Sequence, residues 1–258
     1  MNLPRAWTCR DDGASIVAVA LHSGHDVRRE VRARLALDDE SRRREEDAHT
    51  DQLATVGGSR IVVCRSRFEL DLNRPREHAL YRTPEQAWGL EVWRDDIPED
   101  LAARSLALYD RFYSILDGML RARIDSGGRF LVLDIHSYNH RRSGPDAPPE
   151  PPSDNPDLNI GTGSLDRDRW GTLVDSFAEA FSEAAGGADV RENVRFKGGH
   201  MSRWIHSRYG RHGCCLALEF KKTYMDEWTG ELYEDELARL HEALAAAVRA
   251  RDVERAAA

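Results

Sequence analysis

The sequence predicts an α/β protein with three layers, helices on both faces of a central mixed sheet, and three observations carry that reading. Short apolar runs rich in β-branched residues alternate with longer stretches of helical period. The run FLVLDI (130–135) is apolar without alternation, as suits a central strand covered on both faces. Within 98–125, Leu108, Phe112, Ile115 and Met119 recur at i, i+4, i+7 and i+11, one apolar stripe of a helix.

In chain order, SIVAVAL (15–21) reads as the first strand and 26–37 as a helix. The charged run ESRRREE (40–46) reads as a solvated helix face. RIVVC (60–64) is the next strand, followed by the long helix 98–125 and the strand RFLVLDI (129–135). The segment 141–165, RRSGPDAPPEPPSDNPDLNIGTGSL, is too rich in Pro, Gly and Asp for regular structure. It follows a strand end, so it is expected to wall a site within one domain spanning 1–258. A helix over 166–185, a strand over 214–220 and a helix over 233–250 complete the pattern.

A chain of 258 residues can bury a substantial core. Its 37 basic against 45 acidic residues leave a net charge of −8, which argues against general nucleic-acid affinity. No apolar run approaches the roughly 20 residues of a membrane span. The start MNLPRAWTCRDDG lacks the apolar core of a signal peptide, and a cytoplasmic location is expected. Cys9, Cys64, Cys214 and Cys215 show no CxxC spacing and read as reduced thiols; the last two should face opposite sides of a strand.

Chemistry-bearing side chains gather at strand ends. In open α/β sheets ligands bind beyond the carboxyl ends of strands, where IVAVAL stops at His22 and FLVLDI at His136. Two imidazoles and one carboxylate are a common ligand set for hydrolytic zinc (Zn2+). The carboxylate is sought in EEDAHTD, which holds Glu45, Glu46, Asp47 and Asp51; Asp51 is preferred and Glu46 is the alternative. Asp26 and His25 are further options, and Asp134, two residues before His136, could orient its imidazole. SRFELDLNRPRE (66–77) brings Arg67, Asp71, Asn73 and Arg74 behind a strand, a composition suited to clamping a carboxylate or to a capped turn. RFKGGH (195–200) contributes two cations, Arg195 and Lys197, and a flexible Gly-Gly, suited to an anionic group or to an ordinary strand-to-helix turn. Glu219 sits among apolar neighbours in LALEF; it is expected either to pair with Lys221 or Lys222, or to serve as a general base, since burial raises a carboxyl pKa toward the value a base needs.

Taken together these segments resemble the N-formylglutamate amidohydrolase family. The matching pieces are HSG (22–24), TD (50–51), SRFELDLNRP (66–75), LDIHS (133–137), DLNIGT (157–162), RFKGG (195–199) and LALEF with TYMDE (216–227), in family order over about 80% of the chain. The family is in turn similar to zinc carboxypeptidases and acylase-type deacylases, whose pattern has a glutamate three residues after the first histidine; here that residue is His25. The resemblance implies a phosphorylase/hydrolase-like fold and a zinc-dependent amidohydrolase acting on a small N-acyl amino acid such as N-formylglutamate. It implies His22 and His136 as zinc ligands with one carboxylate, and Glu219 as the base that takes a proton from water and returns it to the leaving amine. Asn73 and Arg74 would bind a substrate carboxylate, and Arg67 would polarise the scissile carbonyl. A carboxypeptidase-type peptidase and a non-catalytic metabolite-binding homologue are the rival readings.

Overall fold

The computed structural model describes residues 5–257. Among them seven strands form one sheet: β1 (Trp7–Arg10), β2 (Ile16–Ala20), β3 (Ser59–Val63), β4 (Phe130–Tyr138), β5 (Leu158–Gly161), β6 (Val190–Glu192) and β7 (Gly213–Lys221). Their spatial order is β1-β3-β2-β4-β7-β5-β6. The central strands β3, β2, β4 and β7 are parallel, whereas β1 and β5 pair antiparallel with β3 and β7. The sheet is therefore mixed, as expected, and the carboxyl ends of its four central strands share one edge.

Eight α-helices accompany the sheet among the described residues: α1 (Arg29–Arg32), α2 (Asp39–Glu45), α3 (Thr50–Leu53), α4 (Glu99–Asp125), α5 (Arg167–Ala184), α6 (His200–Tyr209), α7 (Glu234–Val248) and α8 (Arg251–Ala257). Side chains alternate across the sheet. Ala18, Leu131, Leu133, Cys214 and Leu216 pack with Phe177 and Phe181 of α5 and Leu244 of α7. Val17, Val19, Val132 and Cys215 pack on the other side with Phe112 and Leu116 of α4 and Ile205 of α6. Each fully buried aliphatic or aromatic side chain contributes roughly 1.5–3 kcal/mol. Both faces are covered, which is why these strands are continuously apolar and why the adjacent cysteines enter different cores.

Several expectations change in three dimensions. The helix expected over 26–37 is a single turn. Asp26 bridges to Arg65 and Leu35 to Trp93, and Glu69 binds both the Arg28 backbone N–H and its guanidinium, so long-range pairing overrides local propensity. In α2 the charged run is not wholly solvated: Arg42 is fully buried, bonded to Glu46 (2.6 Å) and to the His25 carbonyl (2.9 Å). The buried stripe of α4 runs through Leu101, Tyr109, Phe112, Leu116 and Met119, with Leu108 and Ile115 only partly covered at its margin. That rotation aims two tyrosines at the loop after β3, where Tyr113 donates to the Leu72 carbonyl (2.7 Å) and Tyr109 to that of Arg74 (2.9 Å). Finally, the segment 141–165 contains β5, because Leu158 and Ile160 alternate into the core while the backbone pairs with β7. Apolar alternation there prevailed over the Pro- and Gly-rich surroundings.

Candidate metal centre and cavity

The shared carboxyl edge of β2, β4 and β7 opens into a cavity of about 420 Å³. His22 lies two residues beyond β2, while His136 and Glu219 are register partners on neighbouring strands β4 and β7. Parallel register puts their side chains on one face of the sheet, the face that buries Val132 and Cys215 further down. The imidazole centroids of His22 and His136 are 4.8 Å apart.

Asp47 lies between the two rings. Its Oδ2 is 2.8 Å from His136 Nδ1 and 3.4 Å from His22 Nδ1. Carboxylates also stand behind the rings: Asp71 Oδ1 lies 2.8 Å from His22 Nε2, and Asp134 Oδ1 lies 2.8 Å from His136 Nε2. An imidazole held by a carboxylate, as Asp71 holds His22, presents its Nδ1 in a fixed orientation, the usual arrangement around a metal. Asp71 does more than hold His22. It also accepts from Arg67 Nη2 (3.0 Å), from the Asn73 backbone N–H (2.8 Å) and from the Tyr81 hydroxyl.

A divalent cation fits this cluster by its geometry and its charge. One donor atom each from His22, Asp47 and His136 lies within 4.8 Å of the others, and all three residues are buried. His22 Nδ1 is buried with no hydrogen-bond partner. Asp47, Asp71 and Asp134 bring three buried carboxylates together beside the largely buried guanidinium of Arg67, a concentration of negative charge that a cation would offset.

The electrostatics agree. Burial opposes the charge on Asp47, yet the adjoining His136 and His22 outweigh it and hold its carboxyl well below the usual range. Asp71 is likewise lowered against the effect of its burial, by the charges of His22 and Arg67. His136 is raised well above the ordinary histidine value, because Asp134 and Asp47 overcome its desolvation. Glu219 moves the other way: burial, reinforced by Asp47 and Asp134, pushes it up to about 8 despite His136 and Arg67.

Of the carboxylates considered in the acidic cluster, the structure brings Asp47 and not Asp51 or Glu46 to the imidazoles. Asp51 is exposed on α3. Glu46 is buried but engaged by Arg42, Ser66 and His25, whose Nδ1 lies 2.6 Å away. The cause is local backbone. Glu46 is extended after α2, the Asp47 N–H bonds the His22 carbonyl (2.9 Å), and His49 adopts a left-handed φ of 67° before α3. Of these acids Asp47 is the one that reaches both imidazoles. Four acids within seven residues gave no periodic signal to single it out, and the second role of Asp71 was hidden for the same reason.

The other candidates line the cavity. Arg67 stacks on Trp88 at 4.7 Å, and the Arg74 side chain is 40% exposed, with a long bond to the Gln86 carbonyl (3.4 Å). Lys197 is exposed at the rim. Asn73 is largely engaged by protein: its Oδ1 accepts from the Met201 N–H of α6 (3.0 Å) and its Nδ2 lies 3.0 Å from His136 Nε2. From the segment 141–165, Arg142 reaches the cavity, paired with Glu45 (3.2 Å).

A family model described as N-formylglutamate amidohydrolase matches residues 14–225, which include every residue of this cluster. The chain belongs to the N-formylglutamate amidohydrolase family. It is accordingly a hydrolase acting on amides. Among solved structures, an N-formylglutamate amidohydrolase from Ralstonia eutropha JMP134 aligns with a TM-score of 0.76 and 20% identity, over 96% of this chain and 98% of that one. The gene product Atu2144 from Agrobacterium tumefaciens aligns at 0.66 and 19% identity, over 98% and 94%. At such identities the likeness is one of fold. No curated protein matches the chain. Within the family's HSG segment, Gly24 has a steric reason: a Cβ there would lie 2.1 Å from the Cys64 carbonyl carbon, where the chain crosses the end of β3.

Proposed function

We propose that this protein is a zinc-dependent amidohydrolase that cleaves the amide bond of a small N-acyl amino acid, with N-formylglutamate as the first candidate. The observation that carries the reading is the buried His22–Asp47–His136 cluster with Glu219 beside His136 on the neighbouring strand. His22, Asp47 and His136 would hold the zinc. When bound, that ion supplies Lewis acidity, polarising the acyl oxygen and lowering the pKa of a coordinated water to about 7.

The remaining work belongs to the chain. Glu219 takes a proton from the attacking water as oxygen adds to the acyl carbon, then delivers it to the leaving nitrogen as the C–N bond breaks. Burial raises the Glu219 carboxyl, which makes it the stronger proton acceptor when it is ionised. Arg74, whose side chain is 40% exposed with long contacts to protein, anchors the substrate carboxylate, so the scissile bond is held near attack geometry. Arg67, fixed by Asp71, Tyr81 and Trp88, faces the negative charge that develops on the acyl oxygen. Asn73 joins α6 to His136, a supporting role alongside any contact with substrate. Lys197 at the rim attracts the anionic substrate.

The test is turnover of a panel of N-acyl amino acids by purified, zinc-loaded protein. Hydrolysis lost in both Glu219→Gln and His136→Ala is the expected result. Activity that survives both substitutions would refute the assignment.

A further inference from the structure

Lys222 is fully buried, yet it takes no part in the proposed chemistry. Its Nζ donates to the Arg44 carbonyl (2.7 Å) and to the Glu46 carbonyl (2.9 Å). These carbonyls lie at the C-terminal end of α2, where a helix leaves acceptors without partners and a lysine is favoured. The lysine comes from far away in sequence, one residue beyond β7 and three beyond Glu219. Its own N–H bonds the Tyr138 carbonyl at the end of β4, two residues past His136. Two residues further on, the buried Tyr224 donates to the Ala48 carbonyl (2.9 Å).

The backbone on both sides of Asp47 is therefore gripped from the segment that directly follows the strand of Glu219. Asp47 itself is closed off by its N–H to the His22 carbonyl (2.9 Å) and by Thr50 Oγ1 donating to its carbonyl (2.7 Å). Among the described residues the two imidazoles are what its carboxylate touches, so the position of Oδ2 follows from the position of this backbone.

We propose that Lys222 is a positioning residue for the cation site. By holding the 44–46 backbone it keeps the Asp47 carboxylate between His22 and His136, at a set distance from Glu219. The inference rests on the reading of His22, Asp47 and His136 as the ligand set. A lysine that merely capped α2 would stabilise metal-free and metal-bound protein alike and leave zinc affinity untouched, whereas a positioning lysine changes the affinity itself.

The experiment titrates zinc chloride into metal-free protein against a chromophoric chelator, for the parent, Lys222→Met and Tyr224→Phe, with the melting temperature of each metal-free protein measured alongside. Lys222→Met is expected to weaken zinc binding about tenfold or more, as loss of outer ligand support does. Tyr224→Phe, which frees only the Ala48 carbonyl, is expected to weaken it several-fold. An affinity within twofold of the parent for folded Lys222→Met overturns the proposal, whatever its melting temperature. If Lys222→Met does not fold, Lys222→Gln and Tyr224→Phe decide, and unchanged affinity in both overturns it. A parent that binds no zinc overturns the ligand reading itself, a different outcome from binding that is indifferent to Lys222.

Discussion

Glu219→Gln should make the metal-free protein more stable while sharply lowering turnover. In the folded chain the Glu219 carboxyl is raised from 4.5 to about 8 by burial and by the neighbouring Asp47 and Asp134. The unfolded chain ionises it near 4.5, so between that pH and 8 the unfolded state has released a proton that the native state still holds. Stability contributed by the protonated group is thus fully present below pH 4.5 and is lost as pH rises toward 8. At pH 7 the interval of 2.5 pH units corresponds to roughly 3 kcal/mol, at 1.36 kcal/mol per unit. Water in the cavity screens part of this, which leaves about 2 kcal/mol. Glutamine keeps the shape without the ionisation and should recover that amount. Urea unfolding of chelator-treated parent and variant from pH 5 to 9 measures it: the curves should converge at the acid end and separate as pH rises. Zinc-loaded turnover should meanwhile fall by about 10²–10⁴, the usual share of a general base. A variant no more stable than the parent at pH 7, with the same pH slope, would show that Glu219 is not a desolvated carboxyl and would remove it as the base.

Other consequences are open to direct measurement. Asp47→Ala should weaken zinc binding by about 100-fold or more, at the upper end of what outer-ligand changes cost, while Asp51→Ala should leave it unchanged in the same calorimetric titration; the reverse order would restore Asp51 as the ligand. His206, whose Nδ1 lies 2.7 Å from Ser164 Oγ and whose Nε2 accepts the Cys215 N–H (2.9 Å), is lowered by burial to about 4. The unfolded chain therefore takes up the proton first, and stability should be lost as pH falls from 6.5 toward 4, by roughly 3 kcal/mol in acid unfolding. His206→Gln should flatten that part of the profile. Gly24→Ala should cost about 2 kcal/mol or more, because the added methyl meets Cys64 backbone that cannot move without breaking the end of β3; a melting temperature equal to the parent's would show that the crossing has room to relax.

Much of the architecture was written along the chain in one dimension. Apolar runs without alternation announced the buried central strands, and β2, β3, β4 and β7 form within a residue or two of SIVAVAL, RIVVC, the start of RFLVLDI and CCLALEF. The long helices α4, α5 and α7 were as plain, since a 3.6-residue period sustained over many residues matches the turn of an α-helix and no strand or loop. His22, His136 and Glu219 were legible too, because a polar side chain at the end of an apolar strand interrupts the pattern. The short strands β1 and β6 carried too few residues to show a period, and β5 was masked by the prolines around it.

What only the tertiary structure decided is which acid reaches the two imidazoles. Nothing local distinguishes Asp47 from Glu45, Glu46 or Asp51. The choice is made by an extended residue, a left-handed histidine, the Asp47 N–H donating to the His22 carbonyl, and Lys222 donating to carbonyls just before the aspartate. The same holds for Asp71, whose four donors come from residues 22, 67, 73 and 81. Periodicity records which face of an element meets the core, a property of neighbours along the chain. A ligand sphere depends on where separate loops meet, and a single chain of letters carries no trace of that until it is folded.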